Sequence, residues 1–159
     1  MRNASKPVIY LGADHAGLKL KNAIKAFLIA LGYHVHDVGA YTEDRNDDYP
    51  DYVIPAAETV AKTRGSKGIV FGGSGVGEAL AANKVNGIRA VMAYDTFTAK
   101  KSREHNDANV LSLGGRTVTK NLRLAKRLVK LWLETPFSGD MRHVRRLKKI
   151  AAYEKRRKS

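Results

Sequence analysis

Short apolar runs and helical periodicities alternate along this chain. Residues 8–13 (Val-Ile-Tyr-Leu-Gly-Ala) have the near-continuous apolar pattern of a buried strand. Leu18, Ala23, Ile24, Phe27, Leu28 and Leu31 then recur near helical spacing, and Gly32 closes that pattern. Residues 33–38 alternate as a second strand. Residues 42–51 form an acidic loop with Glu43, Asp44, Asp47, Asp48 and Asp51, in which Pro50 reads as a breaker. A helix is predicted over residues 53–63, with Pro55 in its first turn, where proline is tolerated. Residues 69–71 are a third strand, followed by a glycine-rich turn and a short helix over residues 79–84. Residues 88–93 and 109–113 give the fourth and fifth strands, with a helix over residues 96–104 between them. A helix over residues 119–134 is broken by Thr135-Pro136-Phe137-Ser138-Gly139, and a basic helix over residues 141–158 ends the chain.

Repeated strand–helix units predict a single α/β domain, a Rossmann-like three-layer α/β/α arrangement around a five-stranded parallel sheet. Ligands of such sheets bind at the carboxyl ends of the strands. Four polar clusters fall there: Asp14-His15, the loop from Gly72 to Glu78, Asp95, and Gly114-Gly115-Arg116.

Composition narrows the classes. No segment approaches the roughly 20 apolar residues of a membrane span, and residues 1–7 carry no secretory apolar region. The chain has no cysteine, which excludes disulfides, thiolate metal sites and a cysteine nucleophile, and is compatible with the cytoplasm. The net charge of +14 is concentrated late: residues 100–159 hold 18 Lys/Arg against 5 Asp/Glu, and residues 1–99 hold 11 against 10. A basic half suits nucleic acid. It equally suits a phosphate site beside a solvated helix, and no aromatic residues interleave the cations as a base-stacking platform requires.

The loop Gly72-Gly73-Ser74-Gly75-Val76-Gly77-Glu78 carries the most specific chemistry. Glycines let backbone approach a ligand, and a helix N-terminus favours negative charge. A carboxylate in that place repels an anion unless it has a task, such as taking a proton from carbon beside a developing oxyanion. The pattern is neither a dinucleotide fingerprint nor a P-loop. Asp14 reads first as a helix N-cap, with His15 its neighbour. His105, at a helix C-terminus, suits both the helix dipole and acid–base chemistry near neutral pH. Arg142 and Arg146 are four apart on one helical face, and two guanidinium forks suit a phosphate monoester. His34 and His36 share a strand face without a third ligand and are assigned no role.

These segments together resemble the family of type B ribose-5-phosphate isomerases and galactose-6-phosphate isomerase subunits, from about residue 8 to 150. The resemblance rests on Gly12-Ala13-Asp14-His15-Ala16-Gly17, Asp48-Tyr49-Pro50-Asp51-Tyr52, Gly73-Ser74-Gly75-Val76-Gly77, Ala81-Ala82-Asn83-Lys84 and Gly87-Ile88-Arg89-Ala90. Ser102-Arg103-Glu104-His105-Asn106-Asp107-Ala108-Asn109 and Arg142-His143-Val144-Arg145-Arg146 complete it. Many members place a cysteine base before the glycine loop, where this chain has Gly72. Another branch uses a glutamate after the loop, where this chain has Glu78.

The resemblance implies aldose–ketose isomerisation of ribose 5-phosphate and ribulose 5-phosphate through a cis-enediolate, in the pentose phosphate pathway, without metal or nucleotide. It implies Glu78 as base, His105 at the ring oxygen with Asp14 as helper, and Ser74 as proton relay. Backbone from Gly73 to Gly77, including Gly75 and Val76, would stabilise the intermediate. Tyr49 and Asn106 would line the sugar, and His15, Arg116, Arg142 and Arg146 the phosphate. It also implies a homodimer or homotetramer with sites between subunits, reached by the helix over residues 140–159. A six-carbon substrate, galactose 6-phosphate or allose 6-phosphate, is the alternative within the class. A basic RNA- or nucleotide-binding module is the alternative outside it.

Overall fold

The structure, a computed structural model, describes residues 6–157. The expectations for residues 1–5 and for Lys158 in the last helix lie outside the described residues. Five parallel strands stand in the order β2-β1-β3-β5-β4. The three inner strands, β1 (Ile9–Ala13), β3 (Lys67–Gly72) and β5 (Val110–Gly114), are almost wholly buried, as their continuous apolar runs predict. The two edge strands, β2 (Val35–Asp37) and β4 (Ala90–Met92), are three residues each, shorter than the alternation suggests. An edge strand pairs on one side only, and a short one limits unwanted pairing.

Helices cover both faces. On one face α1 (His15–Ala30), α4 (Thr96–Glu104) and α5 (Leu122–Glu134) bury Ile24, Leu28, Ala99, Leu128 and Trp132 against Leu11, Ile69 and Leu113. On the other, α2 (Pro50–Lys62) and α3 (Val76–Ala82) bury Val53, Ala57, Val60 and Ala82 against Val70 and Val110. Buried Lys21 donates to Asp37 at 2.6 Å and to the Ala40 carbonyl, tying the start of the acidic loop to α1.

Three boundaries depart from the sequence reading. Pro50 does not break structure but begins α2, since the first helical residue needs no N–H partner. Pro55 therefore lies inside the helix, on an exposed face where water can satisfy the carbonyl it frees. The expected helix from residue 119 is a 3-10 turn (Val118–Lys120) followed by α5, whose Asn121 cap accepts from the Leu124 N–H at 3.2 Å. The helix after the glycine loop starts at Val76, three residues early, because Gly75 takes the left-handed turn that opens it.

The last helix, α6 (Met141–Arg156), stands apart from this body. Of its 16 residues only His143 is buried, while Met141, Ile150 and Tyr153 are exposed. It is held by Glu154, which accepts from the Gly87 N–H at 3.2 Å, and by the His143 ring. No helix among the described residues is long and apolar enough to cross a membrane.

Strand order determines where a crevice can open. From β1 the chain crosses one face by α1 to β2, then returns by α2 over the other face to β3 on β1's opposite side. The connections leaving β1 and β3 therefore diverge at their carboxyl ends, the usual ligand position in open α/β sheets.

Candidate active site

Glu78 sits in the first turn of α3 at that crevice, 3% exposed. Its Oε2 is buried without a hydrogen-bond partner. Burial pushes its carboxyl above the usual carboxylate range and nearby Asp14 adds to this, while the N–H groups of Glu78 and Gly75 pull the other way. A Cβ at Gly72 would lie 1.6 Å from Glu78 Oε1. The carboxylate thus fills the space that any side chain at position 72 would enter, and Gly72 is the room for the acid.

The loop between them is built in advance. The N–H groups of Gly115 and Arg116 donate to the Gly72 and Gly73 carbonyls at 2.7 and 2.9 Å, and Ser112 Oγ donates to the Gly75 carbonyl at 2.6 Å. Gly75 has φ of +82°, which favours glycine. Among the described residues no acceptor pairs with the N–H groups of Gly73, Ser74 or Gly77. Ser74 Oγ accepts from the Val76 N–H at 3.2 Å.

Asp14, His15, Tyr49, Gly73, Ser74, Gly77, Glu78, Arg116 and Thr117 line one open cavity of about 500 Å³. A larger cleft of about 930 Å³ shares His15 and Arg116 and adds Lys19 and Arg45. Asp14 has both roles open to it: Oδ1 caps α1 by accepting from the Ala16 and Gly17 N–H groups at 3.0 and 3.1 Å, and the residue lines the cavity. Of the expected ligand-facing loop, Gly75 is buried beneath and Val76 is 58% exposed, and neither lines the cavity.

Asp47 escaped the sequence reading. It accepts from His15 Nδ1 at 2.6 Å and from the His15 N–H at 3.1 Å. Because a carboxylate only accepts, Nδ1 carries the proton and Nε2 is the ring atom left for a ligand. Asp14, His15 and Asp47 are the grouping of possible metal ligands among the described residues. The Asp14 and Asp47 carboxylates already accept from N–H groups, one of them His15 Nδ1–H, an arrangement suited to orienting a histidine. No local signal marks Asp47, since it is 32 residues from its partner. Thr117 was likewise unmarked.

His105, Asn106, Arg142 and Arg146 do not join this cavity. β5 ends at Gly114 beside the glycine loop, whereas His105 precedes its start at Val110. The length of a five-residue strand, roughly 16 Å at 3.3 Å per residue, separates them. His105 packs instead against His143, with ring centroids 4.2 Å apart and edge-on. His143 is 2% exposed with Nδ1 unpartnered, and burial, then His105 and Arg142, push it below the usual histidine range. The sequence reading gave it no role. Arg142 and Arg146 are exposed, Arg142 lying 3.9 Å from Asp140.

Residues 9–150 match the model of the family described as Ribose/Galactose Isomerase. The ribose-5-phosphate isomerase B of Mycobacterium tuberculosis is 46% identical over 92% of this chain and 90% of that protein. A solved Clostridium thermocellum ribose-5-phosphate isomerase B superposes with a TM-score of 0.88 at 44% identity, covering 93% of this chain and 97% of that one. The Mycoplasma genitalium enzyme, solved with bound ribulose-5-phosphate, does so with a TM-score of 0.88 at 40% identity, covering 92% and 95%. The chain belongs to the ribose/galactose isomerase family.

Proposed function

We propose that this chain is a ribose-5-phosphate isomerase of type B, interconverting D-ribose 5-phosphate and D-ribulose 5-phosphate. The observation that carries the reading is the buried, unpartnered Oε2 of Glu78 beside a loop with unpaired N–H groups. An acid held dry is a stronger base than one in water, and the unpaired N–H groups suit charge that develops on oxygen.

The reaction runs in two stages. In ring opening, His105 gives a proton to the furanose oxygen, the C1–O bond breaks, and O1 loses its proton, with Asp14 assisting, to leave an aldehyde. Glu78 then takes the C2 proton. The C1–C2 double bond forms and the charge moves to O1, where the N–H groups of Gly73, Ser74 and Gly77 stabilise the cis-enediolate. Glu78 returns its proton to C1. O2 gives up its proton as the ketone forms, O1 receives one, and Ser74 relays between them. His15, held by Asp47, and Arg116 face the phosphate with Arg142 and Arg146.

Glu78 and His105 lie at opposite ends of one sheet, so one chain does not supply both to one sugar. The reading therefore requires a second copy, whose His105, Asn106, Arg142 and Arg146 complete the site. The protruding α6, with its exposed Met141, Ile150 and Tyr153, supports this.

The test is turnover of ribose 5-phosphate by the purified chain, with Glu78→Gln as control. Turnover abolished by that substitution is expected. Turnover surviving it at the original rate would remove Glu78 from the mechanism, and preference for a six-carbon phosphate would redirect the substrate assignment.

A further inference from the structure

The turn that carries His105 and Asn106 is gripped from behind by side chains that the reaction does not use. After α4 the Asp107 N–H donates to the Arg103 carbonyl at 3.1 Å and the Ala108 N–H to the Ser102 carbonyl at 3.0 Å. This closure puts Asp107 at φ of +44°, the one non-glycine residue with positive φ among those described. Helix ends place glycine or asparagine in such a conformation. Aspartate visits this conformation less readily than glycine, but its carboxylate makes contacts that glycine lacks.

Asp107 Oδ1 accepts from Arg103 Nη1 at 2.8 Å and Oδ2 from Arg89 Nη2 at 3.3 Å. Both guanidinium groups continue to the backbone of the same turn. Arg89 Nε donates to the Asn106 and Asp107 carbonyls at 3.1 and 3.0 Å, and Arg103 Nη1 to the Ala108 carbonyl. Arg103 is 6% exposed, so little water competes for its bond to the Ala108 carbonyl, whereas the Asp107 and Arg89 side chains are 38% and 32% exposed. Each carbonyl from Asn106 to Ala108 thus has a guanidinium donor, and one carboxylate ties the two donors together.

We propose that Asp107, Arg89 and Arg103 form a positioning clamp that sets the His105–Asn106 turn to present both side chains to the sugar bound by a second copy. The proposal rests on the assignment of His105 to ring opening. A residue needed for its backbone conformation alone would be replaceable by glycine, which suits the φ better. The clamp predicts that glycine keeps the fold and loses rate.

The experiment compares Asp107→Gly and Asp107→Asn with the wild type, in the presence and absence of His105→Ala. Asp107→Gly should stay folded at the assay temperature with unchanged oligomer mass, melting below wild type because buried Arg103 loses its carboxylate partner. Its kcat on ribose 5-phosphate should fall about 10–100-fold, with KM changing less. In the His105→Ala background the same substitution should matter less than about threefold, because coupled residues are not additive. Asp107→Asn, which tolerates the conformation and keeps an acceptor without the charge, should fall between, and carries the test if the glycine variant does not fold. Full activity of both variants, or equal losses with and without His105, would overturn the clamp. If the wild type shows no turnover, the isomerase reading fails separately. The clamp is then read from the His105 ring resonances, single in the wild type and exchange-broadened in Asp107→Gly, and unchanged resonances overturn it.

Discussion

The two ends of the sheet are opposite chemical environments. At the carboxyl end two acids are buried, Asp14 at 7% and Glu78 at 3% exposure, beside a glycine loop fastened to β5. At the amino end cations gather: Lys67, Arg89 and Arg103 surround Asp107, and α6 projects Arg142 and Arg146 into solvent. Burial makes Glu78 more basic, whereas a guanidinium against it would make it less so. Solvated cations on a protruding helix remain free to meet a phosphate. Within the chain, Arg142 and Arg146 lie away from the buried Glu78 carboxylate, and Arg116 is the cation that shares its cavity.

The sharpest way to break this contrast is Glu78→Gln. Loss of the base should lower kcat about 10³-fold. It should also stabilise the fold near neutral pH. Burial raises the folded-state pKa of Glu78 above 4.5, so the folded state holds that proton more tightly than the unfolded state. Its stabilising contribution is complete below the unfolded value and is lost as pH rises through the folded value. Denaturant melts at pH 4 and pH 7 should show the variant gaining on wild type at pH 7. No gain would mean that the carboxylate is not penalised by burial.

Mixing two inactive variants tests whether the two ends meet between copies. If each site forms between two copies of a dimer, Glu78→Gln and His105→Ala homodimers each have two broken sites, but their heterodimer has one intact site. After subunit exchange, activity should return to about a quarter of wild type, if dimers form at random. Continued silence, with exchange shown by mass spectrometry, would place both residues in one chain's site.

Gly72→Ala should act on the carboxyl end alone. A Cβ 1.6 Å from Oε1 must displace the Glu78 carboxylate. The proposed base would survive but be misplaced, so the expected loss is about 10²-fold, smaller than removing it. Unchanged kcat would show that the acid moves without consequence.

The smallest effect belongs to the amino end. Burial, then Arg103, lower Lys67 to about 8, partly opposed by Asp107. At pH 7 both folded and unfolded states carry the proton, and the burial penalty is constant. Between pH 8 and 10.5 the folded state releases it first, so wild-type stability rises relative to Lys67→Met. The variant's advantage should shrink by on the order of 1 kcal/mol over that window, read from urea melts at pH 7 and pH 10. An advantage independent of pH would assign it to packing.

Much of the fold was legible because its causes are local. The uniform apolar runs of β1, β3 and β5 and the bounds of α4 follow from patterns a few residues long. Pro50 was misread because the same missing N–H suits a breaker and a first helical residue, and only packing of α2 on β1 distinguishes them. Glu78 stood out because a carboxylate at an anion-binding turn is electrostatically expensive. Asp47 and His143 did not, because their partners, His15 and His105, lie 32 and 38 residues away.

The sequence by itself determined the strand–helix alternation, the glycine loop and the acid beside it, since backbone preference and side-chain period act over short range. Tertiary structure decided which polar residues share a cavity. Strand order and direction, set by packing the whole core, put Asp14, Tyr49 and Arg116 around Glu78 and carried His105 to the far end of β5.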